Sequence, residues 1–149
     1  MNTHDQIKIT IYRLLAQREY SSAKIEQKLI GQGFQPPDIA PVLKELYQEG
    51  VINDRRFAEN YIRYRQSHGF GPLRIGQELQ ARGLCKEMIE DHLNITDNAW
   101  LTEINKVWQK YFKGKLPNDY FAKVKQMRFL QQRGFTQEQI KYIISYDEM

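Results

Sequence analysis

Leu29-Ile30-Gly31-Gln32-Gly33-Phe34, Leu79-Gln80-Ala81-Arg82-Gly83-Leu84 and Leu130-Gln131-Gln132-Arg133-Gly134-Phe135 share one pattern: a leucine four places before a glycine and an apolar residue directly after it. The glycines Gly33, Gly83 and Gly134 lie 50 and then 51 residues apart. Around them the agreement continues. Position +6 is Ile39, Ile89 and Ile140, and position +10 is Leu43, Leu93 and Ile144. Position −10 is Ala23, Leu73 and Val124, and position −9 is basic each time: Lys24, Arg74 and Lys125. Self-similarity at a fixed period of this size marks a repeat architecture. Three tandem units follow.

The glycine has a physical reason. A helix commonly ends on a residue in the left-handed conformation, which glycine adopts without a Cβ clash. In that stop the residue after the glycine packs on the residue four before it, and the pairs Leu29/Phe34, Leu79/Leu84 and Leu130/Phe135 are all apolar. Helix starts are marked by Ser21-Ser22, Gly71-Pro72 and Pro117-Asn118-Asp119. Pro36-Pro37 suits the first turn of a following helix, and Thr136-Gln137-Glu138-Gln139 has capping-box form. Helical spacing of Ile7, Ile11, Leu14 and Leu15, of Phe57, Ala58, Tyr61 and Ile62, and of Leu101, Ile104, Val107 and Trp108 supplies one more helix ahead of each pair. Each unit is therefore three helices, over residues 1–52, 53–96 and 97–149. No stretch alternates with period two. The expectation is an all-α chain of three tandem three-helix repeats forming an elongated, curved array, because a unit this small must complete its core against its neighbours.

Composition narrows the function. The 149 residues carry 22 Lys+Arg against 18 Asp+Glu, with three His and a lone Cys. No apolar run approaches the roughly 18 residues of a membrane span, and the first residues have no secretory pattern. A cytoplasmic, soluble protein is expected. His4, His68 and His92 are scattered, Cys85 reads as a small packed residue, and Gly69-Phe70-Gly71-Pro72 lacks phosphate-loop spacing and reads as a flexible turn. No catalytic, cofactor or metal constellation is present, so a non-enzymatic role is expected.

Charge is placed unevenly: zero over residues 1–52, +1 over 53–96 and +3 over 97–149. A helix–turn–helix that reads a major groove needs a basic second helix. Residues 36–49 and 86–94 each sum to −2, and residues 137–146 to zero, so a recognition helix is disfavoured. The glycine-terminated helices are basic instead. Lys24, Lys28, Arg74, Lys123, Lys125 and Arg128 form a candidate ridge repeated once per unit, suited to a repetitive acidic partner. Arg56, Arg63 and Arg65, with Tyr64, form a second candidate surface. Tyr20, Tyr64, Phe70 and Tyr146 fit the apolar stripes least well and are candidate contacts.

Leu14-Leu15-Ala16-Gln17-Arg18-Glu19-Tyr20-Ser21 resembles the opening motif of the bacterial RecX regulatory proteins. Asn53-Asp54-Arg55-Arg56-Phe57-Ala58, then Arg65, then Gly69-Phe70-Gly71-Pro72 with Ile75, Glu78-Leu79 and Gly83, resembles their central motif. The third unit departs most, with the insert Lys113-Gly114-Lys115-Leu116-Pro117. The resemblance implies a modulator of the RecA recombinase in DNA repair, homologous recombination and the SOS response. Such proteins bind in the groove of the RecA–DNA filament and suppress ATP hydrolysis, strand exchange and coprotease activity. Bare single- or double-stranded DNA should then be bound weakly, without sequence preference and with steep salt dependence. An asymmetric array of three units needs no self-partner, so a monomer is expected. The alternatives are a stand-alone, sequence-nonspecific nucleic-acid-binding protein and a helical-repeat adaptor for another protein.

Overall fold

The computed structural model describes residues 2–145, so Tyr146 lies outside the described residues. Nine helices and no strand occur among them: α1 (Thr3–Gln17), α2 (Ser22–Gly31), α3 (Pro36–Gln48), α4 (Asp54–Ser67), α5 (Pro72–Ala81), α6 (Lys86–His92), α7 (Ala99–Phe112), α8 (Tyr120–Gln132) and α9 (Gln137–Ile143). They fall in threes along the chain, as the glycine period requires.

The three marker glycines end α2, α5 and α8 with φ of +99°, +85° and +100°. Phe34, Leu84 and Phe135 each donate their N–H to the carbonyl five residues back, on Leu29, Leu79 and Leu130, at 3.2–3.3 Å. This is the Schellman closure, with the paired apolar residues packed over it. Gly50 and Gly69 close α3 and α4 in the same way, two stops the repeat alignment did not reveal. At the second of these the residue four before the glycine is Arg65 and the one after is Phe70. A guanidinium lies on the ring, 3.8 Å from its centroid, where the other stops place an aliphatic contact.

The helix starts also follow the sequence. Ser21 and Asp119 accept N–H groups of Lys24 and Ala122, Pro36 and Pro37 occupy the first turn of α3, and Thr136 with Gln139 closes a full capping box. Asn53 caps α4, through the N–H of Arg56, while the Asp54 carboxylate reaches across to accept the N–H and hydroxyl of Ser22 at 2.8 and 2.6 Å. A carboxylate there meets the exposed amides and positive end of α2.

Packing gathers the chain into two compact units. One contains the chain as far as Asn60 together with Leu79–Ile89. Its core is Ile7, Ile11, Ile25, Leu29, Ile39, Val42, Leu46 and Ile52, with Tyr20 and Phe34 against it. The other contains Tyr61–Glu78 and the chain from Glu90 onward. There α7 packs on α8 and α9, burying Trp100, Ile104, Val107, Trp108, Leu130, Phe135, Ile140 and Ile144. The buried Gln126 accepts the indole N–H of Trp108 at 2.9 Å and donates to the Lys115 carbonyl at 3.0 Å, fixing the insert against α8. Among the described residues, no buried side-chain polar atom lacks a partner.

Candidate partner and nucleic-acid interface

A cation attracts a partner only to the extent that its own fold leaves it unneutralised and hydrated. On that criterion the candidate residues separate. Arg56 donates to Glu19 at 3.0 Å and to the carbonyls of Gly50 and Val51, closing the end of α3. Arg65 makes a two-pronged pair with Glu78, both contacts at 2.8 Å, while its plane covers Phe70. Arg74 also reaches Glu78, at 3.3 Å, and donates to the Gln132 carbonyl at 3.2 Å. These three arginines hold the fold together.

Glu78 is the centre of this network. Burial opposes its ionisation, but hydrogen bonds from Arg65, Tyr61 and Arg74, with the Arg65 charge, outweigh that and hold the carboxyl below its ordinary range. The same hydrogen bond to Glu78 raises Arg65, against a smaller opposing effect of burial. Phe70 is not an open contact as expected. It is half-buried, with the guanidiniums of Arg65, Arg74 and Arg133 at 3.8, 4.5 and 4.8 Å from its centroid. Nor is the turn around it flexible: Gly71 is buried and its N–H donates to the Arg133 carbonyl at 2.7 Å. A Cβ on Gly71 would stand 2.6 Å from the Gly134 carbonyl carbon, so only glycine admits this approach.

Tyr20 is half-buried against the core of the first unit, with the Lys28 ammonium 5.3 Å from its ring centre. Lys24 is half-buried and reaches Gln27 at 3.3 Å. Arg63 and Tyr64 are exposed, and Tyr64 stacks on His68 at 4.4 Å. Cys85 is exposed, against the expectation of a packed residue, because it precedes the first turn of α6 with its side chain turned to solvent.

The surface of α8 is different in kind. Lys125 and Arg128 are exposed and pair with no carboxylate among the described residues; Lys123 is half-buried. Residues 113–133 carry six Lys and Arg and one acid, Asp119, whose carboxylate caps α8. Beside the cations Tyr120 is 61% and Phe121 84% exposed. Reading the chain by apolar stripes assigned no role to these two rings. The available signal was two adjacent aromatics in the first turn of a helix, where the inward stripe has room for only one of them.

Among the described residues, no helix is long and apolar enough to cross a membrane, and no group of three or more His, Cys, Asp or Glu is placed to hold a metal ion.

Comparison with known proteins places this arrangement. Residues 53–93 match the model of the second three-helix domain of RecX, and residues 101–144 that of the third. A regulatory protein RecX of Pseudomonas putida is 37% identical over 97% of this chain and 93% of its own length. Another, from Halorhodospira halophila, is 39% identical over 87% of this chain and 80% of its own. The crystal structure of RecX from Lactobacillus salivarius superposes with a TM-score of 0.78 at 21% identity, covering 94% of this chain and 93% of that one, which establishes the shared fold. With glycine stops, central motif and near full-length identity in agreement, the chain belongs to the RecX family of regulatory proteins.

Proposed function

We propose that the protein is a non-enzymatic, cytoplasmic and monomeric regulator that binds in the groove of the RecA–DNA filament and inhibits RecA recombinase, ATPase and coprotease activities. Membership of the RecX family over nearly the whole chain carries this reading. The three repeats, at residues 1–52, 53–96 and 97–149, would each engage the filament. A repeating partner rewards several weak contacts on one chain through effective concentration.

Within this reading, the candidate contacts Lys24, Lys28, Arg63, Lys123, Lys125 and Arg128 divide the work unequally. Lys125 and Arg128, which pair with no carboxylate among the described residues, supply most of the attraction to filament or DNA. Arg56, Arg65 and Arg74 contribute chiefly by shaping the surface, since their guanidiniums already have internal partners. Bare DNA should bind weakly and more weakly still as salt rises.

The test is RecA-catalysed, single-strand-dependent ATP hydrolysis with this protein at substoichiometric amounts. Inhibition is expected. Full hydrolysis with the protein equimolar to RecA would overturn the reading, and retention of tight DNA binding in that case would favour a stand-alone nucleic-acid-binding protein.

A further inference from the structure

The exposed rings at the start of α8 are unexplained by packing. Phe121, at 84% exposure, keeps almost its whole ring in water, and Tyr120 meets it edge-on at 6.2 Å between centroids. With Lys125 and Arg128 they border an open hollow of about 560 Å³, with half-buried Val124 and Phe129 between them. On a helix, positions 121, 125 and 128 share a face, and so do 120, 124 and 128. Phe121 and Arg128 are about 10 Å apart along the axis. A planar group on the ring could therefore have its flanking anions on the two cations.

We infer that Tyr120 and Phe121 are a stacking platform for unpaired bases, and that Lys125 and Arg128 hold the adjoining phosphates of a single DNA strand. Charge complementarity commits the site to an anionic occupant: the hollow has no acidic residue on its rim, and the surrounding segment carries six basic residues to one acid. The rings commit it further. An acidic peptide would use the cations and leave Phe121 without a matched flat surface. Duplex DNA keeps its base faces inside the stack, where a side-chain ring reaches them only by unstacking a step, at an energetic cost. A single strand offers both a π-face and a phosphate at every step, and stacking on aromatics is tolerant of sequence. Gln126, on the buried side of α8, is bonded to Trp108 of α7, so the helix is anchored on its inner side while its outer face stays open.

This inference rests on the nucleic-acid part of the reading above and adds a preference for single strands with intact bases. The probes are a fluorescent oligothymidylate of about 15 nucleotides, an abasic strand of equal length and a matched duplex, followed by anisotropy. Phe121→Ala should weaken binding to oligothymidylate by roughly 5- to 100-fold, the equivalent of losing one stacked base. It should leave the abasic strand nearly unaffected, and Phe121→Trp should restore binding. Lys125→Gln with Arg128→Gln should weaken all three probes and flatten the salt dependence. Because Phe121 is exposed, the melting curve of Phe121→Ala should match that of the parent. Equal affinity of the parent for oligothymidylate and abasic strand, or no effect of Phe121→Ala, would overturn the platform while leaving the proposed DNA binding intact. No binding of any probe by the parent would overturn both.

Discussion

The same structural joint occurs twice, and it is built differently each time. In the first compact packing unit the start of α2 rests on the turn after α5. The Ser21 hydroxyl donates to the Arg82 carbonyl at 2.7 Å, and Gly83 faces Ala23 closely enough that a Cβ there would collide with it. In the second compact packing unit the start of α5 rests on the turn after α8. Gly71, which stands in the repeat where Ser21 stands, bonds the Arg133 carbonyl with its own backbone N–H at 2.7 Å, and Leu73 bonds the Gly134 carbonyl at 2.9 Å. One joint is bridged by a side chain and the other by main chain against main chain. The neighbouring position follows suit. Ser22 has an N–H that Asp54 must receive, whereas Pro72 has none to satisfy. The second joint carries an additional clasp, in which Arg133 donates to the His68 carbonyl and the Tyr111 hydroxyl while Arg74 reaches the Gln132 carbonyl. A repeat thus preserves where elements meet while leaving free which atoms make the contact.

The hardest way to break this comparison is at Gly71. Gly71→Ala should destabilise by about 3 kcal/mol or more in urea unfolding, because the methyl meets fixed backbone and overpacking has no flexible side chain to relax into. Gly33→Ala, at a positive φ but with nothing within 4 Å of the new Cβ, should cost only about 1 kcal/mol of backbone strain. Equal losses would show that the backbone facing Gly71 yields to a methyl group.

Next in size is the Glu78 clasp. Glu78→Gln should cost about 2 kcal/mol at neutral pH, since it leaves Arg65 partly buried with a neutral partner. The carboxyl is held below its ordinary value of 4.5, so the stability it supplies is fully present above that value and is lost as pH falls through the lower folded-state value. The variant should therefore show a flatter stability profile than the parent between neutral pH and strong acid. A parallel offset at every pH would contradict the role given to its charge.

Ser21→Ala should cost about 1 kcal/mol, removing both a helix cap and the bond to Arg82. This is the mild counterpart of Gly71→Ala, and a larger loss would make the side-chain joint the stiffer of the two.

The smallest effect on stability is expected at Lys125 and Arg128. Charge reversal of both should change unfolding free energy by no more than about 0.5 kcal/mol while weakening inhibition of RecA. Arg74→Glu should instead lower the melting temperature, by placing a second carboxylate beside Glu78. If Arg74→Glu melts like the parent, the distinction drawn between these equivalent repeat positions fails.

The sequence alone determined the helices, the glycine stops of α2, α5 and α8, and the three-fold repeat. These depend on local rules: which residues tolerate positive φ at Gly33, Gly83 and Gly134, which side chains cap, and which apolar spacing makes a stripe. The family was legible as well, because its central motif falls within one short stretch, from Asn53 to Gly83. What the tertiary structure decided is the fate of each charge. Lys24, Arg74 and Lys125 occupy one repeat position, yet the first reaches along its own helix to Gln27, the second is clasped to Glu78 and Gln132, and the third faces solvent. Helical period says which side of a helix a residue occupies. It does not say what chain 58 to 65 residues distant arrives beside it, as Gln132 does for Arg74, Arg82 for Ser21 and His68 for Arg133. Whether a cation is neutralised inside the fold or left to attract a partner depends on that arrival, and so on packing that only the folded chain defines.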